Sequence, residues 1–166
     1  MNLLCTVPLD YGKLEEDYLV AGNWCLPYKR KSEWQFSKFE LLPYHWEDRK
    51  KFDEDNRIVD QESEALLNQL AKILGDYHNT HNDVEYWRPI IGYWLIIFSG
   101  AVFDRHQTLI YAKSKSPNVL SIFGGLASKE GIRIESSMHF INLILKDSLN
   151  QYIYERIAVH EDLSIF

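Results

Sequence analysis

The sequence predicts an α/β fold: an open, largely parallel sheet with helices packed on its faces. Two observations carry this. Short β-prone runs that end at turn formers alternate with longer helical stretches, the pattern of strand and crossover. The composition, 46% hydrophobic and 25% charged, is that of a chain able to bury a core. At 166 residues it is long enough for one sizeable core and short for two, so residues 1–166 are expected to form a single domain.

The first two β-prone runs lie near Leu3 to Val7 and Tyr18 to Ala21, and a third, Phe39 to Leu42, precedes Pro43. From about Asp53 to Tyr77 apolar residues recur at threes and fours (Val59, Leu66, Leu70, Ile73, Leu74, Tyr77), which predicts a long amphipathic helix. Gly75 stands near its end, and Asp76, Asn79, Asn82 and Asp83 offer turn and capping chemistry. The next segment, about Val84 to Lys113, is apolar on most faces and predicts a central, buried helix. Pro89 means that this helix either begins near Arg88 or kinks there. A fourth β-like run, Val119 to Phe123, meets a turn at Gly124-Gly125, and Met138 to Ile157 reads as a last helix. The sequence contains no internal repeat and no low-complexity tract.

Charge and cysteine content exclude several classes. Eighteen basic against 24 acidic residues give a net charge of −6, which removes the electrostatic attraction behind non-specific nucleic-acid binding. The one strongly basic run, Lys29-Arg30-Lys31, reads as a solvated helix start rather than an anion-binding patch. Two cysteines, Cys5 and Cys25, fit a reducing compartment, and each reads as a buried thiol. With no secretory signal at the N-terminus, the cytoplasm is the expected address. The apolar stretch Ile90 to Phe103 is too short to span a bilayer and is bounded by Arg88 and Asp104, so no transmembrane segment is expected. His78 and His81 with Asp76 or Asp83 lack a third ligand at metal spacing, and no phosphate-binding glycine motif occurs; no metal and no cofactor are expected.

Ligands of open α/β sheets bind beyond the carboxyl ends of strands. Gly22-Asn23-Trp24-Cys25 follows the second run, and Pro43-Tyr44-His45-Trp46-Glu47-Asp48-Arg49 follows the third. In the latter, His45 could move protons near neutral pH and Arg49 could hold a carboxylate or phosphate. Equally, Asp48 could cap the next helix and Trp46 pack on the core. Tyr86-Trp87-Arg88-Pro89 opens the apolar helix, where Arg88 would either bind an anion or pair with Glu85 or another surface acid. Asp104-Arg105-His106 reads as the return of that helix to solvent, or as an internal Asp-Arg pair organising the core.

The ordered set Gly22-Asn23-Trp24-Cys25, Leu42-Pro43-Tyr44-His45-Trp46-Glu47-Asp48-Arg49, Tyr86-Trp87-Arg88-Pro89-Ile90-Ile91-Gly92-Tyr93-Trp94 and Phe103-Asp104-Arg105 resembles the N-terminal region of a family of bacterial transferases. That family is associated with lipopolysaccharide and other surface-carbohydrate gene clusters. The resemblance spans nearly the whole chain. It implies a Rossmann-like, glycosyltransferase-type protein, of which this chain would be the acceptor-side front part of a longer transferase, with a C-terminal half as partner. His45 or Asp48 would be the general base, Trp24 and Trp46 stacking surfaces, and Arg49 and Arg88 the cations of a cleft for a nucleotide sugar or an anionic sugar acceptor. Two positions depart from the family pattern: Asn23 stands where an acid is common, and His106 where an aromatic is common. If that acid is the base, Asn23 cannot replace it. The alternative is a non-catalytic interaction module or truncated remnant needing a separate C-terminal half, which would expose an apolar patch.

Overall fold

Leu4 and Cys5, neighbours in the first strand β1 (Leu3–Cys5), are both fully buried, as are Tyr18, Leu19 and Val20, which make up β2 (Tyr18–Val20). Successive strand residues point to opposite faces, so burial of neighbours means that both faces of the sheet are covered, as parallel sheets require. The computed structural model describes residues 3–8, 17–116, 121–122, 133–161 and 164–165. Three more strands, β3 (Phe39–Leu41), β4 (Ser121–Ile122) and β5 (Ser164–Ile165), complete a sheet of order β3-β2-β1-β4-β5. Every pairing is parallel, with Leu4 opposite both Leu19 and Ile122. The fold is therefore mixed α/β with a small parallel sheet. Of the fourth β-like run the described residues, Ser121–Ile122, form a strand, and the turn expected at Gly124-Gly125 lies outside the described residues.

The helices are α1 (Lys31–Trp34), α2 (Arg49–His78), α3 (Val84–Trp87), α4 (Tyr93–Lys115), α5 (Ser137–Ile144) and α6 (Asp147–His160). The chain divides into two compact units, Met1–His45 with Arg105–Phe166, and Trp46–Asp104. In the first unit, β1 and β2 form one core with Leu109 and Ala112 of α4 and with Tyr154 and Ala158 of α6. The predicted last helix is two helices. The chain turns extended at Lys146 (φ −104°, ψ 147°), and the Asn150 side-chain amide donates to the Ile144 carbonyl at 2.8 Å, satisfying the end of α5. Arg105 donates to Asn150 Oδ1 at 2.6 and 3.0 Å, so α4 passes through Asp104-Arg105-His106 rather than returning to solvent there.

The second unit is built from α2, α3, the turn after α3, and the start of α4. The amphipathic helix exists and is longer than predicted, but it buries a different face. Asp55, Val59, Ser63, Leu67, Ala71 and Gly75, every fourth residue, are buried, whereas Leu66 is exposed and Ile73 and Tyr77 are 59% and 81% exposed. Ser63, Ala71 and Gly75 in this stripe are small, and Leu67 is its largest apolar member. α2 ends on Asn79 in the left-handed conformation (φ 51°), with Thr80 N–H closing on the Gly75 carbonyl at 2.9 Å. Asp83 caps α3 by accepting from Tyr86 N–H at 3.1 Å.

The apolar segment after it is not a single buried helix. Arg88–Gly92 forms a π-helical turn containing Pro89, and α4 starts only at Tyr93. Proline cannot donate the backbone hydrogen bond an α-helix needs there, and the wider turn accommodates it. Leu95 is buried, but Ile90, Tyr93 and Ile96 are exposed. Among the described residues no helix is long and apolar enough to cross a membrane.

Candidate functional site

Parallel strands deliver their following loops to one edge of the sheet. In the first unit these are Thr6 after β1, Gly22 to Cys25 after β2, and Pro43 to His45 after β3. The ladders run slightly past the strands, Ala21 N–H to the Cys5 carbonyl and Leu42 N–H to the Val20 carbonyl, both at 2.9 Å, which holds the edge loops in place. Trp24 sits on a short 3-10 turn (Asn23–Cys25) and its indole N–H donates to the Thr6 carbonyl at 3.1 Å. The ring lies directly over Gly22, where an added Cβ would fall inside the indole, so glycine is required by that close approach. With its side chain 46% exposed, Trp24 keeps ring surface open for stacking.

Beneath this edge runs a polar network that sequence reasoning does not find. Thr6 Oγ1 donates to Gln151 Oε1 at 2.9 Å, and Gln151 Nε2 donates to Glu155 Oε1 at 3.1 Å, with Thr6 and Gln151 fully buried. The available signal was a glutamine on the face of α6 that also carries Tyr154 and Ala158. Cys5 ends β1 and burial pushes its thiol up to about 12; Cys25 donates weakly to the Cys5 carbonyl (3.5 Å) and burial raises it further. Neither thiol is a nucleophile near neutral pH. His45 is half-buried after β3, with the Tyr44 ring tilted against it at 5.1 Å. Asn23 is exposed. His106 Nε2 lies 3.0 Å from Glu161 Oε1, and this hydrogen bond is the main reason that the Glu161 carboxyl is held below the usual glutamate range.

In the second unit the other predicted residues divide between two places. Asp48 is the N-cap of α2, accepting from Lys50 N–H at 2.9 Å and Lys51 N–H at 3.4 Å, the structural role weighed for it above. Trp46 donates its indole N–H to Asp55 Oδ2 at 2.9 Å, and Lys51 Nζ reaches the same oxygen at 2.7 Å, so the buried Asp55 carboxylate is compensated by a donor and a cation. Arg49 is 87% exposed, in a loose pair with Asp53 at 3.7 Å and over the Phe52 ring at 5.9 Å.

Arg88 is elsewhere. It meets Glu64 through both guanidinium arms at 2.5 and 3.0 Å and Glu85 at 3.2 Å, bonds that raise its own affinity for protons and lower that of Glu64. Since Glu64 and Arg49 are separated along α2 by about 22 Å at 1.5 Å per residue, Arg49 and Arg88 are not brought together. Around Arg88 is a pocket of about 300 Å³ lined by Asp60, Ser63, Glu64 and Leu67 of α2, Arg88 and Gly92 of the π turn, and Tyr93, Leu95 and Ile96 of α4. π turns inside helices concentrate at functional sites, and this one supplies two lining residues of the pocket, Arg88 and Gly92. Asp60, Ser63 and Glu64 escape notice as site residues in the sequence because they read as the polar face of an amphipathic helix. Among the described residues no cluster of three or more His, Cys, Asp or Glu side chains could hold a metal ion.

A family model matches residues 1–165 and places the chain among transferases. The chain belongs to the LIC12162 family of transferases. No curated protein and no solved structure matches it.

Proposed function

We propose that this chain is the acceptor-side, N-terminal part of a glycosyltransferase-type enzyme of bacterial surface-carbohydrate biosynthesis, acting in the cytoplasm as one Rossmann-like domain. The strand order β3-β2-β1-β4-β5 supports the Rossmann-like reading, because the same order begins doubly wound nucleotide-binding sheets. The observation that carries the function is the Arg88 pocket. Its volume of about 300 Å³ suits a sugar ring. Tyr93, 69% exposed, offers an aromatic face, and the carboxylates of Asp60 and Glu64 offer acceptors for hydroxyls. Arg88 already carries two carboxylates, which favours a neutral, hydroxyl-rich acceptor over an anionic sugar. Of the two residues expected as the base, Asp48 has its carboxylate engaged in capping α2.

Ligand-observed NMR of the chain against neutral sugars, acidic sugars and nucleotide sugars tests this. Saturable binding of a neutral sugar, lost in Arg88→Ala and Tyr93→Ala and kept in Arg49→Ala, is the expected result. No binding across the panel by the folded chain would defeat it. Asn23 in the place of an acid and the exposed Ile73 and Tyr77 favour the second reading, a module that needs a separate C-terminal half. That reading predicts sugar binding only after the missing half is supplied.

A further inference from the structure

The crossover from β2 to β3 carries Lys29, Arg30, Lys31 and Lys38 against one acid, Glu33, in a chain whose net charge is −6. Arg30 and Glu33 neutralise each other, with Nε donating to the two carboxylate oxygens at 2.9 and 3.0 Å. Lys29, Lys31 and Lys38 are left exposed and form no ion pair among the described residues. With them stand Tyr28, 81% exposed, and Phe36, which at 89% is the most exposed large apolar side chain among the described residues. Lys31 Nζ lies 5.8 Å from the Tyr28 ring centre.

The exposure does not come from a loose segment. Trp34 packs against the core cluster, sets its ring edge to Phe39 at 6.3 Å, and donates its indole N–H to the Pro27 carbonyl at 3.1 Å. The Tyr28–Arg30 turn and α1 succeed one another without a gap, and Ser37 N–H closes on the Trp34 carbonyl at 3.0 Å. The crossover is thus pinned from inside by one aromatic residue while two others face solvent. Covering Phe36 and Tyr28 with an amphipathic surface would remove that ring area from water.

We propose that this crossover is a contact with an anionic membrane surface, with Phe36 and Tyr28 entering the headgroup layer and Lys29, Lys31 and Lys38 meeting lipid phosphates. Charge selects this partner. A chain of net charge −6 is repelled by an anionic leaflet except where a local basic patch faces it within a Debye length. Aromatic residues beside lysines are the side chains that settle at a bilayer interface. Association would be peripheral and reversible. This reading is independent of the sugar pocket, which lies in the other unit.

Co-sedimentation of the chain with vesicles of phosphatidylcholine alone, and of phosphatidylcholine mixed with phosphatidylglycerol, tests the proposal. Binding to the anionic vesicles only, weakened by added salt, is expected. The double variant Lys29→Glu with Lys31→Glu should lower the partition coefficient about tenfold or more, because it reverses the charge at both positions. Tyr28→Ser with Phe36→Ser should lower it about tenfold and leave its salt dependence in place. Both pairs are exposed, and an unchanged circular dichroism spectrum shows that folding is intact. Failure to bind anionic vesicles overturns the proposal. So does binding that the aromatic substitutions leave unchanged, or equal retention by a single-stranded oligonucleotide, which would make the patch a general polyanion contact.

Discussion

The two units differ in how large and small side chains share the interior. The sheet unit buries large residues, with Tyr18, Leu19, Phe140 and Tyr154 among those almost wholly removed from water, and it pairs its interior Gln151 within a side-chain network. The helical unit buries Leu67, Trp87 and Leu95, but on α2 it sets the small Ser63, Ala71 and Gly75 in the buried stripe, with a carboxylate, Asp55, and sends Ile73 and Tyr77 outward. Hydrophobicity alone therefore does not identify the buried face of a helix.

The largest expected effect tests the sheet unit: Leu19→Ala should cost about 2–5 kcal/mol, read from urea denaturation, because a fully buried leucine is cut back in a covered strand. In the helical unit the damaging change is enlargement. Ala71→Leu should cost about 1–3 kcal/mol by overpacking the small stripe, and a stabilised protein would mean that the stripe does not face a close neighbour. Asp48→Ala removes the α2 cap and should cost about 1 kcal/mol, with Asp48→Asn restoring most of it. Glu161 supplies a pH effect. Its carboxyl is held below its ordinary value of 4.5, so its contribution is present above that value and is lost as pH falls through the lowered one. The stability difference between the wild type and Glu161→Gln should accordingly shrink in acid. The smallest effect sharpens the contrast most: Ile73→Ala should stay within about 0.5 kcal/mol of the wild type, although its periodicity predicts a core position.

Much of the architecture was legible in the sequence. The first three strands, the long helix after them and the irregularity at Pro89 all come from local chemistry, since turn formers, capping acids and proline act within a few residues. The buried face of α2 was not legible. Leu66, Ile73 and Tyr77 form a helical period that outweighs the smaller Ser63, Ala71 and Gly75, and only the packing partner decides between the two faces. The break at Leu145-Lys146 was hidden for a similar reason, since apolar residues continue on both sides and the capping amide comes from Asn150, four residues beyond Lys146. Among the expected site residues, Trp24, Arg49 and Arg88 were visible as residue types, and of these Arg88 lines the pocket. The pairing of Arg88 with Glu85 or another surface acid was legible too, but that the other acid is Glu64, 24 positions away in sequence, was not. Nor could the sequence reveal that Asp60 and Tyr93 line the same pocket.

The π turn at Arg88–Gly92 also makes that part of the chain tolerant of losing a residue. A π turn holds one residue more than the α turn it replaces over nearly the same rotation, so deleting one residue there would restore regular helix and leave the downstream α4 close to its present orientation. A deletion within α4 itself would instead rotate everything beyond it by about 100°, one residue's share of a 3.6-residue turn. The turn is slack let into a stiff rod, the place where the helix can shorten without carrying Leu95 out of its buried position.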